Sequence, residues 1–183
     1  MIPNFIIQLL NPKTDDRYFE YKYNEYLTIQ KEGFAAQYTF PFAQKLCIGN
    51  GLDVGCNRKE WSLLGSVPVD ISFENGYHAM NLPSNINRDD RNWDYIFSSH
   101  CLEHLNDWTG VLDYWWDNIQ EDGLIYLYLP DYSQEYWRRW NNRKHVNNLR
   151  PNELRDYFNH KGCQKVFVSQ VDLYNSFTVV AFK

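Results

Sequence analysis

The sequence predicts an α/β fold with a largely parallel sheet, and three observations carry that prediction. From Leu46 onward, short apolar runs alternate with stretches of helical periodicity, which is how strand and crossover helix alternate along a parallel sheet. Several of those runs end on a glycine, an acid or a proline, residues that stop a strand. The last two runs are separated by turn residues only, which predicts an antiparallel hairpin at the end of the sheet.

The elements follow in order. Residues 1–45 are polar and tyrosine-rich; Tyr18 to Phe34 places Phe19, Tyr23, Tyr26, Leu27 and Gln30 at helical spacing, which predicts a helical extension packed on a main body running from residue 46 to 183. Gly51-Leu52-Asp53-Val54-Gly55 reads as a buried strand ending in a glycine turn, and Val67-Pro68-Val69-Asp70-Ile71 as a second strand ending in an acid. Tyr77 to Met80 is a weak strand signal, whereas Trp93 to Ser99 is a strong one. Asp107 can cap a helix whose Val111, Leu112, Trp115 and Ile119 share one face, with Gly123 as its expected stop. Leu124 to Leu129 is a strand closed by Pro130. Pro151 at the start and Gly162 past the end frame a last helix. Lys165 to Val171 and Phe177 to Phe182 form the hairpin around Asn175-Ser176.

Composition removes several functions. The chain has 183 residues, 44% of them hydrophobic, enough for one core and too apolar for a disordered chain. Eighteen Lys and Arg against 23 Asp and Glu leave a net charge of −5, so a general grip on nucleic acid or anionic lipid is absent. The four cysteines, Cys47, Cys56, Cys101 and Cys163, form no CxxC pair; this argues against a zinc ribbon or a disulfide framework and for a reducing, cytoplasmic setting. Met1 to Leu10 has no basic residue before its apolar stretch, and no apolar run reaches the ~20 residues of a membrane span, so no membrane partner is expected. Aromatic residues make up 17% of the chain, more than a small core needs, and some are expected to line a surface or pocket.

Four segments in order resemble the successive motifs of class I S-adenosylmethionine-dependent methyltransferases. They are Leu52-Asp53-Val54-Gly55-Cys56-Asn57, Val69-Asp70-Ile71, Asp94 through Ser98-Ser99-His100-Cys101-Leu102-Glu103-His104-Leu105, and Glu121-Asp122-Gly123-Leu124-Ile125-Tyr126-Leu127. The resemblance spans Leu46 to Lys183 and is strongest to small methyltransferases of the methyltransferase-domain 11 type. It implies a Rossmann-like fold: a mostly parallel seven-stranded sheet with helices on both faces and a C-terminal antiparallel hairpin. It also implies S-adenosylmethionine as cofactor, S-adenosylhomocysteine as product, and a small-molecule or glycan-like acceptor methylated on oxygen or nitrogen. A homodimer is compatible with it.

Residue by residue, the resemblance assigns Asp53, Gly55, Cys56 and Asn57 to the cofactor turn, Asp70 and Ile71 to the ribose side, Asn81 and Leu82 to the adenine, and Ser98 and Ser99 to the crevice floor. A glycine turn at a strand end lets the backbone approach a ligand closely, and a carboxylate at the next strand end can accept both ribose hydroxyls. A plain β-turn and a plain capping acid would show the same residues. Two further glycines common in the family are here Asn57 and Lys59; asparagine tolerates the left-handed conformation, lysine less readily. Gly49-Asn50-Gly51 imitates a dinucleotide fingerprint but precedes its strand, where that fingerprint must follow one.

His100, at the end of the strongest strand, is the general-base candidate, with His145 as a second catalytic candidate pointing at the pocket; each could equally cap or pack. Asp131, Tyr132, Trp137 and Arg138 are the substrate-binding candidates. The last two belong to the basic-aromatic stretch Trp137-Arg138-Arg139-Trp140 with Arg143 and Lys144, which could hold an anionic or sugar-bearing acceptor or simply cover a helix face. His100-Cys101-Leu102-Glu103-His104 also spells the H-x-x-E-H of zinc hydrolases, which needs both histidines on one helical face. A strand running directly into His100 argues against it, so no metal is expected; His104 is expected to pack and Glu103 to face solvent or cap. A cofactor-binding protein without catalysis on the same fold is the other alternative.

Overall fold

The computed structural model describes residues 34–87, 92–133 and 142–183. Its sheet has six strands: β1 Gly51–Val54, β2 Val67–Val69, β3 Trp93–Ser99, β4 Ile119–Pro130, β5 Lys165–Val168 and β6 Ser176–Phe182. The order is β2-β1-β3-β4-β6-β5. β2, β1, β3 and β4 run parallel, and β6 lies between β4 and β5, antiparallel to both. The chain steps from β1 outward to β2 and then returns past β1 to β3. The strand order therefore reverses beside β1, and the crevice at the carboxyl ends of β1 and β3 is where such sheets bind ligands.

Both sheet faces are covered, which is why the strands read as continuous apolar runs rather than alternating ones. Helices α2 (Trp108–Asn118) and α3 (Pro151–Lys161) cover one face over Ile96, Ile125, Leu127, Leu129 and Val179. The other face carries Tyr95, Phe97, Tyr126 and Tyr128 and is covered by a three-ten turn, Ala35–Tyr38, and helix α1 (Phe40–Leu46). Alternation along the strands thus sends Ile96, Ile125, Leu127 and Leu129 to one face and the rings of Tyr95, Phe97, Tyr126 and Tyr128 to the other. Thr39 and Tyr126 share a 2.5 Å hydroxyl hydrogen bond, Phe40 leans on Phe97, and Tyr38 stacks on Tyr174 with ring centroids 3.5 Å apart. Much of the aromatic surplus is consumed here. Tyr18 to Gly33 and Trp137 to Trp140 lie outside the described residues, so the helix and acceptor patch expected there have no structural counterpart to report.

Two sequence expectations differ from the structure. Six strands are described against the seven expected: Tyr77 to Met80 contributes only an isolated bridge, His78 to Asn81, and leaves Tyr77 and Met80 exposed. β2 is therefore an edge strand, a place that suits Pro68, which has no amide to donate. Helix α2 ends at Asn118 rather than at Gly123, which lies inside β4, because Ile119 is already paired with Trp93. The terminal hairpin is present as expected: β5 and β6 pair antiparallel and extend the parallel sheet beyond β4, with β6 beside β4, buried from Ser176 to Ala181, and β5 at the edge.

The caps match the sequence signals. Asp107 Oδ1 accepts the Gly110 amide at 2.9 Å, and α3 has Pro151 at its first turn and Gly162 left-handed past its end, φ 83°. Asp107→Ala should lower stability by about 1 kcal/mol; a urea midpoint unchanged within error would refute the cap's contribution. Among the described residues, no helix is long and apolar enough to cross a membrane.

Candidate active site

The crevice is built by three strand ends. β1 runs into Gly55 and Asn57, both with left-handed backbone, φ 86° and 62°. The Gly55 amide donates to Val69 of β2 at 2.8 Å, and the Asn57 amide donates to Asp70 Oδ2 at 2.8 Å. Asp70 Oδ1 accepts the Ser72 amide at 2.9 Å, and the Ser72 hydroxyl donates to the Asn57 carbonyl at 3.1 Å. The turns after β1 and β2 are thus one hydrogen-bonded unit centred on Asp70. An open groove of about 550 Å³ lined by Lys59, Ser72, Phe73, Glu74 and Asn75 begins beside it. Lys59, the departure from the glycine pattern, extends its ammonium toward the Phe73 ring, 5.5 Å from the centroid.

Asp53 lies beneath this turn, 1% exposed, its Oδ2 accepting the Leu63 amide at 2.7 Å. Burial pushes its carboxyl up to about 7, against the pull of that hydrogen bond. Cys56 is buried behind the turn, its thiol pushed up to about 12 by burial and the nearby acids. Ile71 is 84% exposed at the crevice rim. Asn81 is exposed, its side chain donating to Gly76 O at 3.1 Å, and the buried Leu82 donates its amide to the Tyr114 hydroxyl at 3.1 Å.

β3 supplies the other wall. Ser98 donates to Val54 O at 2.7 Å, locking β3 to β1, while the Ser99 hydroxyl is buried with no hydrogen-bond partner among the described residues. His100 follows with left-handed backbone, φ 48°, and donates its amide to Tyr128 O at 2.8 Å. Its Nε2 lies 3.1 Å from the Ser176 hydroxyl and its Nδ1 3.8 Å from Glu103 Oε1. Burial, with His145 and His104 nearby, holds the His100 imidazole well below the usual histidine range.

The segment after His100 corrects the sequence reading. A three-ten turn, Leu102–His104, turns Glu103 inward: it is 1% exposed, not solvent-facing, and burial pushes its carboxyl up to about 7 against the pull of His104. The Glu103 carbonyl accepts amides from Val146 and Asn147 at 2.9 and 3.1 Å, which pins the distant loop and carries buried His145 into the same cluster. His145 Nε2 stands 3.9 Å from Glu103 Oε1, and its ring meets His104 edge-on at 4.7 Å.

The remaining candidates stand at the end of β4. Asp131 is buried and accepts the Ser133 amide at 2.8 Å, while Tyr132 lies under the Arg150 guanidinium, 5.0 Å from its ring centroid. Trp137 and Arg138 lie outside the described residues. Sequence reasoning missed Tyr128, Asp172 and Ser176, which support His100: Asp172 accepts the Tyr128 hydroxyl at 2.7 Å and the amides of Tyr174 and Ser176. Burial pushes Asp172 up to about 6. The Asp172-Leu173-Tyr174-Asn175-Ser176 turn was the available signal, but its link to His100 spans 76 residues.

Residues 31–168 match the family model described as a methyltransferase domain. No curated protein matches the chain. Among solved structures, the chain resembles a SAM-dependent methyltransferase from Archaeoglobus fulgidus at 15% identity and TM-score 0.59, covering 86% of this chain and all of that one. It resembles a possible histamine N-methyltransferase from Thermotoga maritima at 13% identity and TM-score 0.60, covering 90% and 98%. The plantazolicin methyltransferase BpumL in complex with SAH aligns at 12% identity and TM-score 0.57, over 97% and 93%. With the family model spanning most of the chain and the strand-end crevice built as that fold requires, the protein belongs to the methyltransferase-domain family, as a class I enzyme whose methyl donor is S-adenosylmethionine.

Proposed function

We propose that this methyltransferase transfers its methyl group to an oxygen or nitrogen atom of a small-molecule or glycan-like acceptor. The observation that supports the reading most directly is the gathering of His100, His145, Glu103 and His104 at the carboxyl end of β3, beside the turn where the cofactor would lie. S-adenosylmethionine supplies an electrophilic methyl on sulfur. The chain's own task is to align a nucleophilic acceptor against it and keep water out.

The residues present fit the cofactor. Each Asp70 oxygen takes one amide and keeps acceptor capacity for a ribose hydroxyl, and the buried Ser99 hydroxyl lacks a partner among the described residues. Gly55, Cys56 and Asn57 would hold the amino-acid end, with Asp53 bracing the turn from below. Ile71, Asn81 and Leu82 would border the adenine. On the acceptor side, His100 and His145 offer imidazole nitrogens to a hydroxyl or amine, and Asp131 and Tyr132, with Arg150 over the ring, offer a polar and stacking wall.

Calorimetry with S-adenosylhomocysteine is the first test. Asp70→Ala removes both the ribose acceptor and the joint between two turns, so affinity should fall at least tenfold, as expected for losing a charge-assisted bond of about 1.5–3 kcal/mol. Unchanged affinity would overturn the assignment of Asp70. A methyl-transfer screen over sugars, lipids, small acids and nucleic acids then identifies the acceptor; cofactor binding with no turnover on any class would favour a binding protein on this fold.

A further inference from the structure

We propose that Glu103, His104 and His145 form a binding site for a divalent transition-metal ion of the zinc class, at the acceptor end of the crevice. Among the described residues, this is a group whose carboxylate and imidazole donor atoms all lie within 4.8 Å of one another. Glu103 Oε1 is 3.7 Å from His104 Nε2 and 3.9 Å from His145 Nε2. Those gaps are too wide for hydrogen bonds. They are only slightly wider than the roughly 3.4 Å that separates neighbouring ligands of a tetrahedral ion with bonds of about 2.1 Å.

Glu103 itself calls for a cation. It is 1% exposed, and neither carboxylate oxygen has a hydrogen-bond partner among the described residues. A buried carboxyl with no donor is costly, and such groups are found paired or on metals. His104 is oriented as a metal ligand is: its Nδ1 lies 2.9 Å from the Lys144 carbonyl, which can only accept, so Nδ1 carries the proton and the Nε2 lone pair faces Glu103. The ring is 37% exposed, which leaves a path for the ion and for a further ligand. The two halves of the site are already joined, since the Glu103 carbonyl holds the amides of Val146 and Asn147 next to His145.

Two imidazoles and one carboxylate suit zinc and neighbouring transition metals rather than magnesium or calcium, and three protein ligands leave a position open. The H-x-x-E-H segment is thus used differently from a helical hydrolase site. His100 has left-handed backbone and its Nδ1 is 3.8 Å from the same oxygen, so His145, 42 residues from Glu103, takes the place of the first histidine. The ion's presence stands without the acceptor reading above. That the open position would seat an acceptor oxygen or nitrogen rests on it.

The test is calorimetric titration of the chelator-treated full chain with Zn²⁺ and with Co²⁺, alongside S-adenosylhomocysteine. One ion per chain is expected, Co²⁺ giving visible bands of an imidazole-ligated ion, with affinity falling at least tenfold in His104→Ala and in Glu103→Gln. His104 is partly exposed, so His104→Ala decides the matter if Glu103→Gln does not fold. No stoichiometric binding, or affinity unchanged in His104→Ala, would overturn the site. Failure to bind S-adenosylhomocysteine would strike the cofactor reading and leave the metal result standing.

Discussion

Gly55→Ala is expected to lower the affinity for S-adenosylhomocysteine at least tenfold and to lower the melting midpoint by several degrees. Two costs add at this position. The backbone is left-handed, φ 86°, which costs an alanine roughly 1–2 kcal/mol. A methyl there would also stand 2.5 Å from both Cβ and Sγ of Cys101, an overlap that well-packed sites resolve at about 1–3 kcal/mol. The strain cannot be relieved locally. The Gly55 amide is bound to Val69, and the Asn57 amide two residues on is bound to Asp70, so moving the turn away from Cys101 pulls on the β2 end as well. A total of about 3 kcal/mol corresponds to a midpoint shift of roughly 6–12 °C for a chain of this size. The double change Gly55→Ala with Cys101→Gly separates the two costs: it removes the collision and keeps the backbone penalty, so it should recover part of both losses. No recovery would mean that contact with Cys101 does not set the turn.

How far this site can be read from sequence depends on the range of the interactions that make it. The β1 turn and the acid after β2 are legible because their signals are local: an apolar run, a glycine, a carboxylate at the strand end. The β3 and β4 strands are legible for the same reason, since burial on both faces leaves few polar residues inside them. Glu103 misleads because its environment is made elsewhere. A glutamate beside a leucine in a polar turn looks solvent-facing until the Val146 and Asn147 amides bring a second stretch of chain over it. Gly123 misleads because glycine after a helical stretch commonly caps it, whereas here a Cβ at Gly123 would meet the Asp94 carbonyl of the neighbouring strand at 2.9 Å. The order of the two strands in the terminal hairpin has no local signal; a pair of terminal runs joined by turn residues is the same sequence whichever of them lies against β4.

Asp53 carries the second large effect, and its sign is opposite to that of a typical surface carboxylate. In the fold its carboxyl titrates at about 7, mainly because burial disfavours the charge; in the unfolded chain it titrates near 3.8. Below pH ~4 both states hold the proton and the group has no influence. Between pH ~4 and ~7 the unfolded chain releases it and the fold does not, so stability falls as pH rises; above pH ~7 both are ionised and the full penalty remains. The distance between those two titration points corresponds to a penalty on the order of 4 kcal/mol. Asp53→Asn keeps a carbonyl oxygen to accept the Leu63 amide and cannot ionise, so its stability relative to the parent should be near equal at pH 4 and higher by roughly 2–4 kcal/mol at pH 8. Urea unfolding at the two pH values checks this, and a difference that stays constant would mean that Asp53 is not held protonated. The same substitution has a functional readout. If the carboxyl only braces the turn through Leu63, S-adenosylhomocysteine affinity should survive in Asp53→Asn. A tenfold loss would instead place the ionised carboxylate in contact with the positively charged amino group of the cofactor, at the expense of fold stability that burial of that charge imposes.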